Sequence, residues 1–275
     1  MVNITSLGDI AGQVSAKFGN ADKVTVGCVC IPSGAVKFIR RLIPIDFPKW
    51  RNAENINVDF IVNLLLRESL AICAASLDKT THEWTEFWED ANDVHTKTAS
   101  LAGGSISFIK AANLIKFMQF SEAANLAFVH SLNAGTIPTI LDRKKYLHVR
   151  DEVVFDNDIQ GNENIDAFAD IWRATNSHQP LLNSHGVKRT VTSLRLTTEE
   201  IEPLLLLPDY VAGIFHASNS NANTLSQSQV TKSEVARAHM RLKSSKKFYE
   251  PVGNIRLKYF EIFPDFEKYS RRRTS

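Results

Sequence analysis

Three aspartates stand where carboxylates can do chemistry. Asp9 comes shortly before Gly12 and the first strand-forming run, Asp142 closes the β-rich run 137–142, and Asp209 opens an apolar helix after Pro208. Acids delivered by separate elements to one end of a sheet are what a two-metal centre requires. Mg²⁺ or Mn²⁺ takes hard oxygen ligands and leaves positions open for phosphate and water. Each aspartate taken alone also has an ordinary use: Asp9 as a turn residue, Asp142 as a partner for Arg143 or Lys145, and Asp209 as an acid at a helix N-terminus.

The elements that would position these acids follow from hydrophobic spacing. Residues 24–31 are β-branched and apolar at almost every position and end in Pro32-Ser33-Gly34, which predicts a central strand buried on both faces. Val58, Ile61, Leu64 and Leu65 recur at helical spacing over 57–67, and 70–75 then reads as a second buried strand. The longest helical pattern covers 105–132, and a shorter one covers 164–174. Residues 187–196 alternate as a strand, and Thr197-Thr198-Glu199-Glu200 resembles a helix start with acids in its first turn. An apolar run, Pro208 and a helix beginning at Asp209 follow, then a Ser/Asn/Gln-rich stretch at 217–231 that predicts a linker. Residues 232–275 read as helical and basic at first and end in Arg271-Arg272-Arg273. Interleaved strands and helices place the chain in the α/β class.

Other chemistry-bearing residues carry less. Cys28 and Cys30 are separated by one residue, which suits neither structural zinc nor a redox Cys-x-x-Cys pair, so with Cys73 they read as small buried hydrophobes in a reducing compartment. His82-Glu83 begins like a zinc-protease helix but lacks the second histidine, leaving an acidic face with Trp84 and Trp88 for packing. His178 and His185 flank Pro180 with no cysteine near, Ser184-His185 lies outside any nucleophile elbow, and Gly103-Gly104 has neither the preceding strand nor the lysine of a phosphate loop. Lys243, Lys246, Lys247, Arg256, Lys258 and Arg271 to Arg273 make the C-terminal segment basic, suited either to a phosphate backbone or to plain solvation.

In composition the chain is an ordinary globular one, 44% hydrophobic and 23% charged over 275 residues, which excludes collagen-like and low-complexity classes. A net charge of +2 means that a nucleic-acid partner would have to be held by a local basic patch. The opening Met1-Val2-Asn3-Ile4-Thr5 has neither the basic start nor the apolar run of a secretory signal, and no apolar run approaches a membrane span, so a cytoplasmic protein with no membrane partner is expected.

Asp9-Ile10-Ala11-Gly12 followed by the glycine-containing strand at 24–29, then Ile140-Leu141-Asp142, then Leu205 through Asp209 to Ala212-Gly213, come in a recognisable order. That order resembles a bacterial family described as a domain of unknown function (thirty-eight hundred), whose signature is Asp-Glu-Ser-Gly, with a second acid at a later strand end and an apolar-Gln-apolar-Ala-Asp helix start. The resemblance covers 1–217. It implies a ribonuclease-H-like mixed sheet flanked by helices, with Asp9, Asp142 and Asp209 as catalytic metal ligands for Mg²⁺ or Mn²⁺ and nucleic acid (RNA or DNA) as substrate. Residues 218–275 would then be a polar linker and a helical basic C-terminal extension packed on or beside the core. Ile10 and Ala11 replace the family's Glu and Ser, Leu206 replaces Gln, and Pro208 replaces Ala. A missing carboxylate at Ile10 weakens Mg²⁺ binding, and this keeps a second expectation open: a non-catalytic interaction subunit of a bacterial phage-defence or mobile-element assembly, with a protein partner.

Overall fold

The apolar run near the start forms strand β1 (Lys23–Cys30). In the computed structural model, which describes residues 23–78, 147–156, 187–219 and 229–249, β1 is followed at once by helix α1 (Ser33–Leu42). Pro32 sits at the N-cap, where its missing N–H costs nothing. A 3-10 turn (Trp50–Asn52) leads into α2 (Asn55–Glu68), whose first turn is tightened by the Glu54 N–H donating to Asn57 Oδ1 at 2.9 Å. Strand β2 (Ala71–Asp78) then returns antiparallel to β1, with Cys28 opposite Cys73. The helix and second strand expected at 57–67 and 70–75 correspond to α2 and β2.

Strands β3 (Leu147–Asp156) and β4 (Val187–Thr197) form a separate parallel pair with a register shift at Asp151/Glu152. A parallel pair needs a long crossover, and residues 157–186 are long enough to supply one. Sequence patterning anticipated β4 but not β3, because the alternation of Leu147 to Arg150 breaks at Asp151 and is followed by the consecutive apolar residues 153–155. After β4 come a 3-10 turn (Pro203–Leu205), the buried helix α3 (Leu206–Asn219), helix α4 (Lys232–Lys243) and the two-residue strand β5 (Phe248–Tyr249). β5 pairs parallel to β2, so among the described strands the middle of the three-stranded sheet is β2, not β1 as its apolar run suggested. Apolarity reports burial, not strand order.

The architecture of the described residues is therefore mixed α/β. The acidic stretch at 82–97, the helices expected at 105–132 and 164–174 and the strand at 137–142 lie outside those residues. So do His82, His178, Ser184, His185, Gly103 and Gly104. None of the described helices is long and apolar enough to cross a membrane.

One face of the β1/β2 sheet is covered by α3. Ile72 and Ala74 of β2 join Val58, Ile61 and Leu65 of α2 and Leu207, Val211, Ile214 and Phe215 of α3 in one core. Alternation turns Cys28, Cys30 and Cys73 to the opposite face. All three are free thiols, Cys28 and Cys73 buried and Cys30 half-buried. Residues 229–248 contribute side chains to this core. Val235, Ala238, Leu242 and Phe248 are buried in it, and Phe248 stacks on Phe215 with ring centroids 4.7 Å apart. Polar ties run the length of α2. Thr231 N–H donates to Asn55 Oδ1 at 2.9 Å, Arg241 reaches Asp59 at 2.7 Å and Asn63 at 2.6 Å, and Lys247 Nζ caps the last turn by donating to the carbonyls of Leu66 and Arg67 at 2.8 and 3.1 Å.

Two glycines are set by close approach. A Cβ on Gly27 would lie 2.2 Å from the Pro208 carbonyl oxygen and 2.9 Å from Ala212 N, so β1 can lie against the α3 backbone only without a side chain there. On Gly213 it would lie 2.2 Å from the Trp50 ring. Glycine inside a helix costs about 1 kcal/mol relative to alanine, and at Gly213 that cost is outweighed by seating the indole. Gly34, in α1, has no heavy atom within 4 Å of the same position. Gly27→Ala and Gly213→Ala should each lose about 1–3 kcal/mol, whereas Gly34→Ala should gain about 0.5–1 kcal/mol. Urea unfolding of the three variants checks the ordering, and a stable Gly213→Ala protein would contradict the Trp50 packing.

Burial holds the imidazole of His216, in the last turn of α3, below its ordinary pKa. The unfolded chain therefore binds the proton first, so the stability tied to a neutral His216 is complete above about pH 6.5 and is lost as pH falls below it. Unfolding at pH 7.5 and 5.5 should show a smaller loss in His216→Gln than in the wild type, and equal losses would refute the assignment.

Candidate functional site at the start of the buried helix

Helix α3 begins at Leu206, earlier than the Asp209 start read from the sequence, because Leu206 and Leu207 find burial on the helix itself and Pro208 falls in the first turn, where no N–H is needed. Asp209 is thereby carried onto the first turn, facing the segment ahead of α2. Its Oδ2 accepts the Trp50 backbone N–H at 2.8 Å, satisfying a donor at the opening of the 3-10 turn. Next to it Tyr210 is fully buried and its hydroxyl donates to the Pro48 carbonyl at 2.9 Å. Burial drives that hydroxyl's pKa far above its usual value, and the Asp209 charge adds to the effect. The Trp50 ring meets Tyr210 edge-on, centroids 5.7 Å apart at 82°, and Phe47 lies 5.9 Å from the same tyrosine. Four consecutive residues, Phe47 to Trp50, are thus held against the opening turns of α3.

Charged groups border this contact. Lys49 Nζ lies 2.8 Å from Glu199 Oε2 and 3.5 Å from Glu200 Oε1. The hydrogen bond that Lys49 donates to Glu199 raises the Lys49 pKa against the opposing effect of burial, and the charges of Glu199, Glu200 and Asp156 add to it. Arg40 of α1 grips both carboxylate oxygens of Glu202, which is only 3% exposed. Glu199 and Glu200 therefore do not open a helix, as the sequence suggested, whereas Glu202 caps the 3-10 turn at Pro203–Leu205 by accepting the Leu204 N–H. Residues 198–202 form a turn, with the N–H groups of Ile201 and Glu202 bonded to the Thr198 carbonyl at 3.1 and 2.8 Å. Its two buried carboxylates anchor α1 and the Lys49 segment to the entrance of α3.

Of the three aspartates expected to share a metal, Asp209 alone is among the described residues. Asp9, Asp142 and Lys145 lie outside them. Among the described residues no three His, Cys, Asp or Glu side chains converge on a metal position. The chemistry of Asp209 is compatible with such a role. A carboxylate has about four lone-pair positions, and metal-bound carboxylates are commonly held by a further hydrogen bond such as the one from Trp50 N–H. Sequence patterning missed Trp50, Lys49 and Arg40 because their partners are some 150 residues or more away, 159 for Trp50 and Asp209. Comparison of the chain with protein-family models, with curated proteins and with solved structures finds no match.

Replacing Asp209 distinguishes its roles. Asp209→Ala leaves a buried N–H without an acceptor and should lose about 1–3 kcal/mol. Asp209→Asn keeps an acceptor and loses only the charge at the helix N-terminus, about 0.3–1 kcal/mol. Thermal melts in metal-free buffer should give the order wild type, Asn, Ala. An Asn variant melting above the wild type would instead report repulsion from neighbouring acids.

Proposed function

We propose that the protein is a metal-dependent hydrolase of nucleic acid with a ribonuclease-H-like fold, in which Asp9, Asp142 and Asp209 hold Mg²⁺ or Mn²⁺. The observation that carries this reading is the placement of Asp209: it sits on the first turn of a helix laid directly on β1, and its carboxylate is oriented by a backbone N–H. When bound, the cations supply an activated water and offset the charge that builds on the scissile phosphate. The chain's own part is to fix Asp209 in one orientation through Trp50 and to exclude water behind it with Tyr210 and Phe47. Lys145 or the basic residues after Lys247 (Arg256, Lys258 and Arg271 to Arg273) would position the phosphate backbone.

A second reading has its own support. Asp209 already serves as an acceptor for the Trp50 segment, and Ile10 stands where the resembling family carries glutamate, which together favour a non-catalytic interaction subunit. Calorimetric titration of Mn²⁺ separates the two. Wild type should bind Mn²⁺ and cleave a mixed set of single- and double-stranded RNA and DNA, and Asp142→Ala should lose both. Equal or absent binding in the two proteins ends the hydrolase reading.

A further inference from the structure

We propose that the outer face of α1, formed by Lys37, Phe38 and Arg41 with Arg67 of α2 beside them, is a contact surface for a single strand of nucleic acid. The inference rests on the reading that the protein handles nucleic acid, and it names the strand form and the place.

Lys37 and Arg41 are one helical turn apart and exposed, and neither has an ion pair or hydrogen bond among the described residues. The helix Ser33–Leu42 contains no acid. Its other arginine, Arg40, is taken by Glu202. Phe38 lies alongside the two cations with 49% of its surface exposed, and the Arg67 guanidinium carbon is 6.0 Å from its ring centroid. Arg67 pairs with Glu68, so it contributes a flat stacking neighbour more than net charge. Gly34, on the same face, leaves the surface open. Free cations beside an exposed ring supply the two contacts that single-stranded nucleic acid uses: phosphate to ammonium or guanidinium, and base to aromatic face.

The same cations could draw other anionic partners, but the helix favours a strand. Its apolar side, Ala35, Ile39 and Leu42, is committed to the core, and Phe38 is the one large apolar side chain it exposes, which is too little to enter a bilayer. A duplex buries its base faces and would leave Phe38 unused. On α4, by contrast, Arg237 and Arg241 are paired with Glu234 and Asp59, and after it Lys247 caps α2, so these three cations are already occupied.

The test is fluorescence anisotropy of the full-length protein with a labelled 20-nucleotide oligothymidylate, in EDTA so that no cleavage contributes. Lys37→Ala/Arg41→Ala should reduce the salt slope of log K by roughly 1.4, two contacts at about 0.7 each. Phe38→Ala should weaken binding about tenfold with the slope unchanged, while Phe38→Tyr keeps the affinity. Lys232→Ala, at an exposed cation on α4, should change nothing. Matching melting temperatures verify that the variants are folded. The proposal is overturned if the wild type does not bind the oligonucleotide, if the double variant keeps its affinity and slope, or if phosphatidylserine vesicles or a polyglutamate peptide bind in its place with the same sensitivity to substitution. Binding that depends on α1 in a protein that takes up no Mn²⁺ would retain this surface and remove the hydrolase reading. Hydrolysis indifferent to α1 would do the reverse.

Discussion

Much of this structure depends on the seating of one helix against a strand and an indole with no side chain in between. α3 approaches β1 so closely that the position of a Cβ on Gly27 is taken by the Pro208 carbonyl, and it receives Trp50 where a Cβ on Gly213 would be. Two small residues thus set both the helix–sheet distance and the location of the Phe47 to Trp50 segment. Tyr210, Val211, Ile214 and Phe215 are then buried between the sheet, α2 and α4, so a shift of α3 would disturb every layer. Close-packed interiors relax little around such intrusions.

Around that apolar contact the buried charges act as ties between distant segments. Glu199 and Glu202 are nearly inaccessible, and each would be costly to bury alone. Lys49 and Arg40 meet them from the side facing solvent and remain partly exposed, so the desolvation is shared unevenly. Such a pair adds little net stability over an apolar alternative, yet removing one partner leaves a buried charge uncompensated. Its effect is on register. The turn after β4 holds both α1 and the Lys49 segment, and in that arrangement the Trp50 N–H meets Asp209.

Positive charge is divided by the same logic. A basic C-terminal segment suited, in sequence, either a polyanion or plain solvation, but within residues 232–249 the structure uses several of its cations internally. Arg237 and Arg241 bind acids of α2 and α4, and Lys247 binds the carbonyls that end α2. Burial lowers the Lys247 pKa, as expected for an ammonium drawn out of water. α1 does the opposite: its apolar side is in the core and two of its three cations are left facing solvent. Whether a cation is available to a partner depends on the acids and carbonyls folding brings near it, and composition does not carry that.

What could be read directly from the chain was local. The apolar run of β1, the helical spacing in α2, the alternation in β4, the proline before α1 and the acid on the first turn of α3 are all set by neighbours within a few residues, where periodicity and backbone sterics decide the outcome. The sequence also marked Asp209 as an acid at a helix start, and the structure places it there. Pairing across 150 residues or more was not legible. Lys49 with Glu199, Arg40 with Glu202, Trp50 with Asp209 and Phe248 with Phe215 each join types that meet in countless other combinations, and only the chain's path through space selects among them. Glu199 and Glu200 mimicked a helix start because local rules reward acids there equally, but their ion pairs with Lys49 outweighed a preference worth about 0.3–1 kcal/mol at most. Strand order followed the same division: each strand's existence was written in its own residues, while the place of β2 between β1 and β5 was decided by the return of residues 229–249 to the core, because a ladder's partner is fixed by which edge the rest of the fold leaves open.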